Sequence, residues 1–333
     1  MSNDKVRWGI LSTARIGINN VIPALQAGKY SEVVAIASRN GEKARLAAEQ
    51  FGIPKSYGTY EALLEDPDVD AIYNPLPNHL HLPWSGKAVL SGKHVLCEKP
   101  VAPNAEGARQ LIGIAAKHPE IKVMEAFMYR FHPQWDRIKQ MISEGRIGEL
   151  RTITSSFSYF NDNPDNYRNV REYGGGGLLD IGCYCISVAR YLFGKEPLEV
   201  SGNIEEDPDF HVDRLASALL TFGRGTSVFT CATQLFPDQY VTITGTSGQI
   251  KLTLPFNPLP EKPATIIYEN AKGTKTIDIE PVDQYMLMTD AFSLSVLEDM
   301  PVPTPLDDAL NNMKTIDAVF KSAETGRWVK FEE

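Results

Sequence analysis

The 333-residue chain is 43% hydrophobic and 23% charged, an ordinary globular composition with apolar material for more than one core. Its 33 basic and 42 acidic residues leave a formal charge of −9, with the basic ones scattered, so no nucleic acid and no anionic membrane surface is expected as a partner. The opening MSNDKVRW lacks the apolar core of a signal peptide and no apolar run reaches the ~18 residues of a membrane span.

Taken in chain order, short apolar segments recur at 7–11, 33–38, 70–75, 94–100 and 122–127, separated by stretches of helical spacing such as RIGINNVIPALQAGK and AEGARQLIGIAAKH. Buried strands alternating with helices predict a parallel, doubly wound sheet. After about residue 150 the texture changes to alternating strands (RTITSSFSYF, ASALLTF, TSVFTCAT, YVTITGT, QIKLTL, TIIYEN, TKTIDIE) with turns such as TSGQ and AKGT. That pattern predicts an antiparallel sheet with one covered face, closed by helices at about 283–298 and 307–324. Cys97, Cys183, Cys185 and Cys231 form no C-x-x-C or His-spaced pattern, so reduced cytoplasmic thiols and no metal are expected.

The turn after the first strand, GILSTARIG, stands where a dinucleotide-binding G-x-G-x-x-G would, with Ser12, Ala14 and Gly17 in the glycine slots. Ser12 and Ala14 are small enough for the next helix to offer its first N–H groups to a phosphate. This makes Ser12, Thr13, Ala14, Arg15 and Ile16 candidate cofactor-binding residues, while a plain strand-turn-helix fits the same letters. The second strand ends ASRN, with no acidic residue to take the ribose hydroxyls. Ser38, Arg39 and Lys43 suit a 2′-phosphate, which a carboxylate would repel, and so favour NADP(H) over NAD(H). EKP puts Glu98, Lys99 and Pro100 at the C-terminal end of a parallel strand, where open α/β sheets bind ligands. In GGGGLLDIGCYCISVARYLF the glycine run opens a helix with Asp180 and Tyr184 four apart on one face. By pattern alone, a strand-end lysine reaching water and an ordinary amphipathic helix explain these three residues as well.

HVLCEKP and GGGGLLDIGCY, with ASRN, YNPLPNHLH, EAFMYRFHP and the tail GRWVKF, resemble the glucose–fructose oxidoreductase / inositol dehydrogenase (Gfo/Idh/MocA) family over nearly the whole chain. The likeness is to its branch of dihydrodiol and pyranose-sugar dehydrogenases; residues 255–280 match least, and Ser12 departs from the family's glycine. The resemblance implies an α/β fold with an NADP-binding Rossmann domain over 1–125. Residues 126–333 would form an α+β substrate and oligomerisation domain on a large, mostly antiparallel sheet, the last helix packing back on the first domain. It makes Lys99, Asp180 and Tyr184 catalytic: Tyr184 (histidine in inositol dehydrogenases) as acid/base, Lys99 assisting it, Asp180 orienting Lys99 or a second substrate hydroxyl. It assigns Asn74, Pro75, Leu76, Asn78, His81, Glu98, Lys99, Arg130 and Tyr285 to the cofactor, and Lys99, Arg130, Tyr159, Asp180 and Tyr184 to the substrate. His79 and His81 as surface histidines, Arg130 as a salt-bridged arginine and Tyr285 as a core aromatic stay open beside these. Phe157, Tyr159, Phe160 and Tyr167 are candidates to cover a sugar's apolar face, with Asn161 or Asp162 on its hydroxyls; sheet packing explains the aromatics nearly as well. The function implied is NADP-dependent oxidoreduction of a cyclic sugar or polyol, with trans-dihydrodiol oxidation or a non-catalytic NADP-binding sensor as alternatives. A homodimer or homotetramer joined through the C-terminal sheets is expected, because SALLTF and SVFTCATQLF are too apolar for a freely solvated face.

Overall fold

The computed structural model describes residues 5–331 and resolves into two compact units. One unit runs to Phe131 and includes Asp283–Leu310; the other holds His132–Val282 and the chain from Asn311 on.

In the first unit, β1 (Val6–Leu11), β2 (Ser31–Ala37), β3 (Lys55–Tyr57), β4 (Ala71–Asn74), β5 (His94–Cys97) and β6 (Val123–Glu125) form one sheet. The order is β3-β2-β1-β4-β5-β6 and every pairing is parallel. It is the doubly wound arrangement of dinucleotide-binding domains, with the switch of strand order between β1 and β4. The connections are α1 (Ile22–Ala27), α2 (Gly41–Phe51), α3 (Tyr60–Leu64), α4 (His81–Leu90) and α5 (Ala105–Ala115). Helix starts follow side-chain chemistry: Asn40, Thr59 and Asn104 accept the N–H groups of Lys43, Ala62 and Gly107. β3 has no counterpart in the sequence reading, since three residues are too few to display a period.

The second unit is built on a nine-stranded sheet. After α6 (Pro133–Ser143) come β7 (Leu150–Phe160), α7 (Cys183–Phe193), β8 (Glu199–Glu206), β9 (Asp213–Thr221), β10 (Thr226–Ala232), β11 (Gln234–Gly245), β12 (Gly248–Leu252), β13 (Ala264–Asn270) and β14 (Gly273–Ile279). They lie in the order β14-β13-β12-β11-β7-β10-β9-β8, and β7 with β10 is the parallel pair in an otherwise antiparallel sheet. Ile153, Phe157, Ala216, Leu220, Phe229, Cys231, Val241 and Ile243 are buried on the face that carries α7. The residues alternating with them (Thr152, Thr154, Leu215, Leu219, Val228, Tyr240) are partly or fully exposed.

The closing helices are α8 (Gln284–Leu297) and α9 (Leu306–Thr325), followed by β15 (Val329–Lys330) on the β8 edge. α8 belongs to the first unit: Phe292 packs on Trp8 at 5.5 Å, Ser293 accepts the Trp8 indole N–H, and Asp290 accepts the N–H groups of Lys29 and Tyr30. The sequence reading closes the first domain at 125 and brings back the last helix. The structure closes it at Phe131 and brings back α8, the penultimate one, with the first turn of α9. By length and composition Arg171–Phe193 passes for a membrane span, which the sequence reading did not find; 89% of its apolar window is buried within the protein. All four cysteines are buried and unbridged.

Candidate active site

Within the first unit, the turn after β1 and the end of β2 form one open cleft of about 480 Å³, lined by Ser12, Thr13, Ala14, Ser38, Arg39, Asn40, Lys43 and Tyr60. Ser12 takes the left-handed conformation (φ 67°) that a glycine would adopt freely, and its Oγ accepts the Ala14 N–H at 3.2 Å. The helix then opens with a π-helical turn, Gly17–Val21, a feature frequent at functional sites. A Cβ on Gly17 would meet Tyr73, Ile10 and Pro75 at 3.7–3.9 Å, ordinary contact, so this last fingerprint glycine is not needed for room. Ser38 is buried and its Oγ accepts the Asn40 N–H, whereas Arg39 and Lys43 are exposed. The sequence reading lacked Asn40 and Tyr60. Burial raises the Tyr60 phenol above its ordinary range while the positive charge of the Arg39 guanidinium pulls it back. Among the residues lining the cleft there is no carboxylate.

A larger open hollow, about 860 Å³, lies beside Arg151, Thr221 and Arg224 in the second unit. Arg151 there is engaged by Glu149 and the Arg224 carbonyl, and none of the expected site residues lines it.

The loops after β4 and β5 carry several of the expected residues. Asn74 is fully buried and its amide donates to the His81 carbonyl (3.2 Å) and Ser85 Oγ (3.0 Å), with its oxygen on the Leu76 N–H. The His81 ring lies between the Pro100 carbonyl (Nδ1, 2.7 Å) and the Leu76 carbonyl (Nε2, 2.5 Å), itself buried. Asn74, Leu76 and His81 therefore tie the two loops together; Asn74 and His81 do so with the polar atoms expected to reach a cofactor. Glu98 accepts the Tyr73 hydroxyl at 2.6 Å, and half-buried Lys99 follows it. Tyr285 lies on α8 in the same unit; burial first, then the Glu98 charge, raise its phenol. Arg130 pairs with Asp308 at 2.7 Å, the salt-bridged alternative to the expected cofactor or substrate contact. Asn78 is buried, and Pro75 as well.

In the second unit, Asp180 sits on a π-helical turn, Leu178–Gly182, that precedes α7, and not on regular helix as expected. Its Oδ2 accepts the Tyr159 hydroxyl at 2.6 Å and Arg168 Nε at 2.9 Å. Tyr159, expected at the substrate, thus gives its hydroxyl to Asp180. Burial and the Asp180 charge both push its phenol up, so it stays protonated and donating. Burial works against the Arg168 charge, and Asp180 more than offsets it. Tyr184 is buried, with its ring edge-on to Phe157 (5.7 Å) and tilted on Phe256 (5.3 Å).

The glycine run has a steric cause. A Cβ on Gly175 would collide with the Arg168 carbonyl, and one on Gly176 (φ 108°) with the Asp213 carboxylate. Asp213 in turn accepts the Leu178 N–H at 2.5 Å, capping the π-helical turn. Arg168, Phe256 and Asp213 escaped the sequence reading, because each meets the Asp180–Tyr184 turn only through the tertiary fold.

The parallel sheet and its cleft define the first unit as a dinucleotide-binding domain. Residues 6–127 match the family model described as "Oxidoreductase family, NAD-binding Rossmann fold", and residues 135–251 match the "GFO/IDH/MocA C-terminal domain". An oxidoreductase of Rhizobium meliloti is 42% identical over 331 residues, covering 98% of this chain and 99% of the relative. D-xylose 1-dehydrogenase (NADP(+)) 2 of Haloferax volcanii is 36% identical, covering 98% and 99%. A 3-ketoreductase from Actinomadura kijaniata, solved with NADP and TDP-benzene, superposes with a TM-score of 0.90 at 32% identity, covering 96% and 98%. The chain belongs to the Gfo/Idh/MocA family and is an oxidoreductase.

Proposed function

We propose that this chain is an NADP(H)-dependent oxidoreductase that moves a hydride between nicotinamide and a hydroxyl or carbonyl carbon of a cyclic sugar or related polyol. The observation that carries the cofactor choice is the cleft of Ser38, Arg39, Asn40 and Lys43, which offers hydroxyl, guanidinium and ammonium groups and no carboxylate. A 2′-phosphate suits that set, and an adenosine ribose diol has no acidic partner in it. The xylose dehydrogenase and ketoreductase relatives, both named with NADP, support the same choice and a sugar substrate. The bound nicotinamide supplies hydride chemistry.

The chain's own residues do the rest. Ser12, Thr13, Ala14, Arg15 and Ile16 meet the pyrophosphate, while Asn78, Glu98 and Tyr285 border the nicotinamide end. Tyr184 holds or releases the proton of the reacting hydroxyl. A phenol near pKa 10 works at neutral pH only with a cation to favour its anion, the role of Lys99. Asp180 accepts a hydrogen bond at the substrate end, and Arg130 acts as a structural arginine. The chain is cytoplasmic and self-associates through the uncovered face of its nine-stranded sheet.

The test is nicotinamide absorbance with NADP⁺ over a panel of aldoses, inositols, anhydro sugars and aromatic dihydrodiols. A monosaccharide should give the highest kcat/KM, and dihydrodiols exceeding every sugar about tenfold would replace the sugar reading. Tyr184→Phe and Lys99→Met should each lower kcat by ~10²-fold or more, and Tyr184→Phe should leave NADPH bound. Near-normal turnover by Tyr184→Phe removes it as the proton donor.

A further inference from the structure

The Asp180 carboxylate does not stand alone in its unit. One of its oxygens, Oδ2, is held from two sides, by the Tyr159 hydroxyl from β7 at 2.6 Å and by Arg168 Nε at 2.9 Å. Two donors on one oxygen fix both the side-chain torsion and the direction of the remaining lone pairs. Arg168 itself is anchored by backbone. Its N–H donates to Asn166 Oδ1 at 3.1 Å, its carbonyl accepts the Gly176 N–H at 2.8 Å, and Gly175 leaves space for that carbonyl. The guanidinium also lies 4.6 Å from the centre of the Tyr167 ring. The loop between β7 and α7 is thus folded back so that one arginine reaches one carboxylate. The glycine run that follows is what lets it approach.

We propose that Arg168 is a positioning residue for the reaction: it holds the Asp180 carboxylate oriented as a fixed hydrogen-bond acceptor, and acts on substrate only through it. Tyr159 is its partner on the same oxygen. Nothing in the local sequence marks Arg168, twelve positions before Asp180 and outside any periodic element. The inference rests on the reading above that Asp180 serves the substrate end.

The experiment is a double-mutant cycle on the full-length protein with whichever panel substrate turns over fastest. Arg168→Met should lower kcat about tenfold or more, the scale of one lost charge-assisted hydrogen bond, with NADPH affinity within about twofold of wild type. Arg168→Lys should recover part of that loss, since an ammonium restores charge but not the fixed fork. In the Asp180→Asn background the same Arg168→Met change should cost little, because the arginine's target is gone. Equal losses in both backgrounds, or an Arg168→Lys variant as impaired as Arg168→Met, would overturn the proposal. Should Arg168→Met fail to fold, Arg168→Lys and Tyr159→Phe, each crossed with Asp180→Asn, give the same cycle. A preferred substrate that is not a sugar sinks the substrate reading while leaving this cycle readable.

Discussion

In the cleft of the first unit exposed Arg39 shares the lining with Tyr60, whose ring makes an edge-on contact with Trp84 at 4.9 Å. A guanidinium at that place presents a planar fork that matches a phosphate bidentately. Arg39→Asp should therefore remove most of the preference for NADP(H), seen as a collapse or reversal of the NADP⁺/NAD⁺ ratio of kcat/KM. A wild-type enzyme that uses both cofactors equally at limiting concentration would remove the 2′-phosphate reading. Ser12 shows how a departure from a motif is absorbed. Ser12 accepts the left-handed backbone and offsets part of its cost, ~1 kcal/mol, with the bond from the Ala14 N–H.

At the scale of elements, the glycines that matter sterically are those before α7. Gly175→Ala or Gly176→Ala must displace the Arg168 carbonyl or the Asp213 carboxylate, a cost of about 2–4 kcal/mol from overpacking and backbone strain. Gly17→Ala, whose Cβ would find only ordinary contacts, should stay within ~1 kcal/mol of wild type. Denaturant midpoints of the three variants decide this; equal losses would sink the steric account. Burial pushes the Asp213 carboxyl up to about 7, against the pull of the N–H groups of Leu178 and Gly177. Between its unfolded value near 4 and about 7, the native state then holds a proton that the unfolded chain has released. That stabilisation is complete below about pH 4 and lost as pH rises through about 7. Wild-type Tm should fall relative to Asp213→Asn between about pH 5 and about pH 8, followed by differential scanning fluorimetry. A difference that does not vary with pH would mean the carboxyl titrates normally.

For the whole molecule, the prediction concerns the uncovered sheet face. Leu215, Leu219, Val228 and Tyr240 alternate there with Thr152, Thr154 and other small polar residues, and Phe236 near the start of β11 is 87% exposed. The centre of such a face, on β7, β9 and β10, is apolar enough for association. Light scattering should return at least twice the chain mass of 36.9 kDa at micromolar concentration. Val228→Lys together with Leu219→Glu should shift the protein toward the single-chain mass, and a wild-type monomer would refute self-association through this face.

The sequence by itself determined the strand and helix alternation of the first unit, the change of texture near residue 150 and the basic, carboxylate-free set that ends the second strand. Those depend on periods and neighbours a few residues apart, and Ser38, Arg39 and Lys43 lie within six positions of one another. Lys99, Asp180 and Tyr184 were legible as a set through the family motifs, whereas local pattern left each of them ambiguous. Only the tertiary structure decided which polar groups are consumed internally. Asn74 and His81 read as ligand-facing in a motif but bond to main chain and Ser85 across loops that the sheet brings together. It likewise decided that Tyr60 joins the cleft of Ser38, Arg39 and Lys43, that Arg168 and Asp213 serve the turn carrying Asp180, and that α8 returns to the first unit. Long-range pairing of this kind depends on which side chains burial leaves without water, and a buried polar atom takes whatever partner the fold places within reach.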